Sequence, residues 1–207
     1  CSALISDAAD IERTHRYAYM ETAVDDMNSD FENIREKAEN ADKAPVNIAL
    51  VGQPGAGKSS LINAITGSKS AKVGIENDVT TEREDYSWNG LSLSDLPGYG
   101  TTKFPSETYF EKFDVQQFDV FLCVTSGKFK EDDVLLFKKL IQQGKPCIFV
   151  RNKIDAEHED GVTNAELRIR IAANIQNQIG SHEKLVFTSC HARQGLDELM
   201  AAITDSL

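Results

Sequence analysis

Hydrophobic residues recur along this chain in two rhythms. Short stretches at residues 46–51, 83–88, 91–95, 118–124, 146–151 and 184–189 read as strands, and those at 46–51, 118–124 and 146–151 are nearly continuous apolar runs. Runs of that kind mark sheet strands covered on both faces. Between them, apolar residues at helical spacing predict helices near 58–66, 106–114, 131–143, 163–179 and 195–206. Strand and helix alternate, which predicts an α/β fold: a doubly wound, mostly parallel six-stranded sheet with helices on both faces. Trp88-Asn89-Gly90-Leu91 reads as a tight hairpin turn, so one edge strand is expected to be antiparallel.

The first 43 residues have a different character. Met20, Val24, Met27, Phe31, Ile34, Ala38 and Ala41 follow one another at spacings of 4, 3, 4, 3, 4 and 3. That is a heptad-like stripe on one long helix, which can pack against the following domain or reach for a partner helix. Pro45 disfavours helical geometry just before it, so the helix is expected to end there. The division is therefore a helical segment at 1–43 and a second domain at 44–207.

Composition narrows the function. A net charge of −11 with a pI near 4.8 repels nucleic acid and anionic lipid at long range, so a general nucleic-acid binder is not expected. Residues 1–43 carry much of that charge, with eleven acidic side chains against five basic. The four cysteines, Cys1, Cys123, Cys147 and Cys190, form no C-x-x-C pair; a reducing, cytoplasmic setting is expected. No apolar stretch is long enough to span a membrane, although a peripheral membrane contact stays open. The chain opens on Cys1 rather than Met, which suggests a piece of a longer protein.

The candidate chemistry begins where the first strand run ends. Gly52-Gln53-Pro54-Gly55-Ala56-Gly57-Lys58-Ser59-Ser60 lies between that run and a helical pattern, the context a phosphate-binding loop requires. Its glycines let main-chain N–H groups crowd around an anion. Lys58 can bridge β- and γ-phosphates, and the Ser59 hydroxyl can ligate Mg²⁺. A carboxylate is then needed at the end of a later strand, and Asp95 of Asp95-Leu96-Pro97-Gly98 supplies it, with the Gly98 N–H placed to face a γ-phosphate. Between them, Thr80 is preferred over Thr81 as the threonine that ligates Mg²⁺ and orders its loop in the triphosphate state.

The base is specified by Asn152-Lys153-Ile154-Asp155. The Asp155 carboxylate can accept from both N1–H and the exocyclic amine of guanine; adenine would leave that acid unmatched. Lys153 can lie along the base, Asn152 can tie the loop to the phosphate loop, and a backbone N–H at Ser189-Cys190 can meet the guanine carbonyl. Together these elements specify GTP and GDP, with Mg²⁺.

In that order the motifs resemble the translation-factor-related class of P-loop GTPases, with a Ras-like fold. Within it, Val79-Thr80-Thr81-Glu82-Arg83, the run from Asp95 through Tyr99-Gly100-Thr101-Thr102-Lys103-Phe104-Pro105, Thr108-Tyr109-Phe110-Glu111-Lys112 and Lys128-Phe129-Lys130-Glu131-Asp132-Asp133 look like the interferon-inducible, immunity-related GTPases. Two features depart from that family. Its members carry a long C-terminal helical domain, whereas this sequence stops at Leu207, and their base motif usually opens with threonine where Asn152 stands here. A divergent or bacterial relative, or a shortened chain, fits both.

The residue after Asp-x-x-Gly is Tyr99, where Ras-like enzymes use a glutamine to orient the attacking water. A phenol is a poor base at neutral pH, so slow hydrolysis by the monomer is expected, on the order of 10⁻⁴ s⁻¹. The resemblance implies GTP-dependent self-association across the nucleotide face, with Asp78 matching the acidic residue that takes part. The alternatives are a nucleotide-gated scaffold that barely hydrolyses GTP and a ribosome- or RNA-assembly GTPase, the latter disfavoured by the acidic charge.

Overall fold

The computed structural model describes residues 32, 34, 45–71, 82–180 and 184–207. In chain order the elements are β1 (Val46–Val51), α1 (Lys58–Thr66), β2 (Glu84–Trp88), β3 (Leu91–Asp95), α2 (Tyr109–Lys112), β4 (Val120–Thr125), α3 (Glu131–Gln142), β5 (Cys147–Arg151), α4 (Asn164–Ile179), β6 (Lys184–Phe187) and α5 (Leu196–Thr204). The strands form one six-stranded sheet in the order β2-β3-β1-β4-β5-β6. Every neighbouring pair is parallel except β2 with β3. That hairpin turns through Asn89 and Gly90, both at positive φ, as the Asn-Gly pair predicts.

Side chains alternate across each strand, and each face has its own core. Ile48 and Leu50 of β1 join Leu122 of β4 and Val150 of β5 beneath α1 and α5. Ala49 and Val51 point the other way, to Phe121 and Phe149, beneath α3 and α4. Continuous apolar strands are what a sheet buried on both sides demands.

The helix expected at 106–114 is corrected: only Tyr109–Lys112 is helical. Ring packing outweighs local propensity here. Phe110 and Phe113 gather around Tyr109 at centroid separations of 5.2 and 5.1 Å, and the Tyr109 hydroxyl donates to the Pro97 carbonyl. The last strand is also shorter than expected, ending at Phe187, so Ser189 and Cys190 fall in a loop.

Of the N-terminal stripe only Ile34 is described; it is helical, fully buried, and part of the cluster beneath α1 and α5. The other stripe residues lie outside the described ones. Among the described residues, no helix is long and apolar enough to cross a membrane.

Because Ile34 fills part of the same core as Leu61 and Ile62, Ile34→Ala is expected to lower unfolding free energy by about 2–5 kcal/mol. Urea titration of both proteins measures it. A loss under about 0.5 kcal/mol, the range of ordinary surface changes, would show that this contact contributes nothing to the fold.

Candidate functional site

β1 sits where the strand order reverses, between β3 and β4, and ligands of open α/β sheets bind at the carboxyl ends of the strands beside such a point. There the chain leaves Val51 and winds into α1. Gly57 caps α1 at φ 95°; no side chain caps the helix and its first turn holds no acidic residue. An unobstructed helix N-terminus of this kind favours an anion. Gly57 is required twice over, since a Cβ there would also overlap the Asn152 carboxamide.

Lys58 is 6% exposed, and its ammonium donates to the Gly52 carbonyl at 3.1 Å, folded back over the loop. Ser59 hydrogen-bonds the Asp95 carboxylate. Asp95 ends β3 opposite Leu50 of β1 and is 1% exposed. A hydroxyl and a buried carboxylate in direct contact are hard oxygen donors, a set that suits Mg²⁺. Ser60 follows on the same turn, half-buried. Gly98 is buried against the phosphate loop: a Cβ there would come within 2.6 Å of the Pro54 nitrogen. Asp78, Thr80 and Thr81 lie outside the described residues.

At the other end, Asn152 joins three loops. Its Nδ2 donates to the Ala56 carbonyl at 3.2 Å, while its Oδ1 accepts from Thr188 Oγ1 at 3.2 Å and Cys190 Sγ at 3.4 Å. Lys153, in the left-handed region at φ 63°, donates from Nζ to the Gly55 carbonyl at 2.7 Å. Asp155 is exposed beside them. A hydrogen bond from the Ser189 side chain holds its carboxyl below the usual carboxylate range, with smaller help from His191 and Lys153. The carboxylate is therefore ionised near neutral pH, an acceptor on both oxygens. Burial, and then Asp155, push the Cys190 thiol up, so it stays protonated.

Tyr99 is fully buried. Its ring packs edge-on against Tyr109 and Phe137 at 5.7 and 6.2 Å, and its hydroxyl donates to Asp133. Burial and the Asp133 charge raise the phenol well above its ordinary value, so it remains a donor. No motif points to Asp133, although its stretch carries part of the family resemblance. Its position in the first turn of α3, where its Oδ2 accepts from the Lys130 N–H at 2.8 Å, is the one local signal that could have found it.

Residues 10–184 match the family described as Interferon-inducible GTPase (IIGP). The chain belongs to the interferon-inducible GTPase family. It is similar to mouse Interferon-gamma-inducible GTPase 10, 39% identical over 124 residues that cover 56% of this chain and 30% of that protein. Mouse Immunity-related GTPase family M protein 1 is 30% identical over 178 residues, covering 81% of this chain and 42% of the relative. The chain thus spans well under half the length of these relatives. Among solved structures, Toc33 from Arabidopsis thaliana in complex with Mg²⁺ and GMPPNP aligns with a TM-score of 0.66 at 15% identity, over 87% of this chain and 91% of that one. A dimerization-deficient mutant of Toc33 aligns similarly, with a TM-score of 0.67 at 15% identity over 87% and 91%. At that identity the likeness concerns the fold.

Within this interferon-inducible GTPase, Gly57 is the glycine of the phosphate loop that combines a left-handed backbone with a close neighbour, the Asn152 carboxamide. Gly57→Ala must both hold a left-handed backbone and displace Asn152, so a stability loss of about 1–3 kcal/mol is expected in the nucleotide-free protein. Chemical denaturation measures it. An unchanged midpoint would mean that Asn152 can leave the loop without cost.

Proposed function

We propose that this chain binds GTP with Mg²⁺ and hydrolyses it to GDP and phosphate, slowly alone and faster when two copies associate. The observation that carries the guanine assignment is the pairing of an ionised, exposed Asp155 with a phosphate loop tied to the same segment by Asn152 and Lys153. A base seated on Asp155 would thereby have its phosphates directed to the N-terminus of α1. Asp155 accepts two guanine N–H groups, and Lys58 lies along the phosphate chain. Ser59 and Asp95 would hold the metal, with Thr80 proposed as a further ligand. When bound, Mg²⁺ neutralises charge developing on the β- and γ-phosphates.

Slow turnover follows from Tyr99. Its hydroxyl is engaged by Asp133 inside the core, so the position that orients water in Ras-like enzymes contributes no such group here. The missing group is proposed to come with a second copy across the nucleotide face, with Asp78 at the contact, as family resemblance implies. For the chloroplast components atToc33 and psToc159, dimerization is described as important for GTPase activity. Cys123 and Cys147 are buried and in no disulfide, which is compatible with the reducing, cytoplasmic setting proposed for the chain. The same burial of Tyr99 favours a second reading, a GTP-gated scaffold that scarcely hydrolyses.

Two measurements test these readings. GTP turnover per molecule is expected to rise with protein concentration alongside a GTP-dependent dimer; a specific rate flat across roughly a hundredfold range would overturn self-activation. A near-zero flat rate with tight GTP binding would favour the scaffold. Asp155→Asn replaces one acceptor with a donor, so GDP affinity is expected to fall by about 10²-fold or more. Affinity for xanthosine diphosphate, whose C2 carbonyl meets that donor, is expected to rise in the same titration, and unchanged GDP affinity would remove Asp155 from base recognition.

A further inference from the structure

The Asp133 carboxylate does more than cap a helix. Capping α3 uses only Oδ2, which accepts from the Lys130 N–H. The other oxygen, Oδ1, accepts from two distant places: the Tyr99 hydroxyl, one residue beyond Gly98, and Gln53 Nε2 of the phosphate loop at 3.1 Å. Gln53 is held from its other end as well, its Oε1 accepting from Lys130 Nζ at 2.7 Å. Asp133 is 3% exposed, and a carboxylate that deep is retained only where its acceptor sites are met. Here they are met by donors from three separate segments.

The location of those donors gives the network its meaning. Gly98 presses on Pro54 so closely that no Cβ fits between them. Gln53 precedes Pro54, and Tyr99 follows Gly98. The two segments that flank the γ-phosphate position are therefore joined twice at adjacent residues, once by backbone contact and once through Asp133. Any shift of Gly98 toward a third phosphate must carry Tyr99 with it. Tyr99 is bonded to the oxygen that also holds Gln53, and through Gln53 and the helix cap the shift reaches Lys130.

We propose that Asp133 is a positioning residue for GTP turnover, holding the Gly98–Tyr99 segment in register with Gln53 and transmitting γ-phosphate contact to the start of α3. This rests on the GTPase reading above. It concerns the third phosphate and not the base, because Asn152, Lys153 and Asp155 share no hydrogen bond with the network. The coupling is a set of bonds with two ends, and either end can be cut without touching the carboxylate. Tyr99→Phe removes one donor and keeps the ring contacts with Tyr109 and Phe137; Gln53→Ala removes the other.

The test measures affinity for GDP and for GMPPNP, together with turnover at saturating GTP and one protein concentration, in the full chain and in both single variants and the double. Each single variant is expected to lose about tenfold in GMPPNP affinity and in turnover, with a clearly smaller loss in GDP affinity. Because both donors act through one oxygen, the double variant is expected to lose no more than the worse single, the non-additivity of coupled sites. Losses that multiply in the double variant, or GDP affinity falling in step with GMPPNP affinity, would overturn the proposal, the latter showing a merely structural role. Unchanged GMPPNP affinity and turnover in the single variants would overturn it as well, with the GTPase reading left standing. If Tyr99→Phe does not fold, the split between GDP and GMPPNP affinity in Gln53→Ala decides alone. An unmutated chain that binds no guanine nucleotide would bring down the GTPase reading and this inference together.

Discussion

The arrangement of the nucleotide face depends on one buried carboxamide. Asn152 is 1% exposed and meets the phosphate loop with its nitrogen and the 188–190 loop with its oxygen. Loops are held by few contacts, and without such a tie each would sample its own positions independently. A buried amide left without partners costs about 1–3 kcal/mol per group, so each of the three segments is pinned by the penalty of releasing the other two. Family members that begin this motif with threonine lack the second polar atom. Here the two polar atoms of the carboxamide divide the work, the nitrogen donating to Ala56 and the oxygen accepting from Thr188 and Cys190.

The opposite end of the site is held by different physics. The stretch after Asp95 is drawn into an aromatic core: Tyr99 and Tyr109 are fully buried, their hydroxyls bonded to Asp133 and to the Pro97 carbonyl. Burial pushes both phenols far above their ordinary value, so each acts as a fixed donor across the physiological range. Edge-on ring contacts with Phe137 and Phe104 add directional packing. The segment is thus anchored in the core at two rings.

Much of the fold was legible because its signals are local. Apolar runs located the strands to within a residue or two at β1, β3 and β5, and the Asn89-Gly90 pair gave the one antiparallel edge. The phosphate loop and the Asn152–Asp155 segment could be read because their chemistry is compressed into neighbouring residues. What could not be read depends on partners far away in sequence. Asp133 looked like one acid among several at a helix start; its partners Tyr99 and Gln53 lie 34 and 80 residues distant. The short α2 failed as a longer helix for the same reason, since ring contacts assembled from Phe104 to Phe113 exist only once the chain has folded. Tyr99 was visible as a departure from the glutamine of Ras-like enzymes, yet only the structure shows its phenol turned inward.

Under the proposed function, the two ends divide recognition from turnover. Base selection rests on polar ties among loops at the carboxyl edges of β1, β5 and β6, and none of them passes through Tyr99 or Asp133. The γ-phosphate end rests on a carboxylate and two rings packed beneath α3. Physical separation of this kind lets one be altered while the other persists. On the proposed reading, a chain so built holds GTP while its own core keeps the residue after Gly98 away from water, and hydrolysis depends on a group brought from outside the monomer. The slow chemistry proposed for the monomer would then be a consequence of how the aromatic face is packed, set by the same burial that stabilises the sheet.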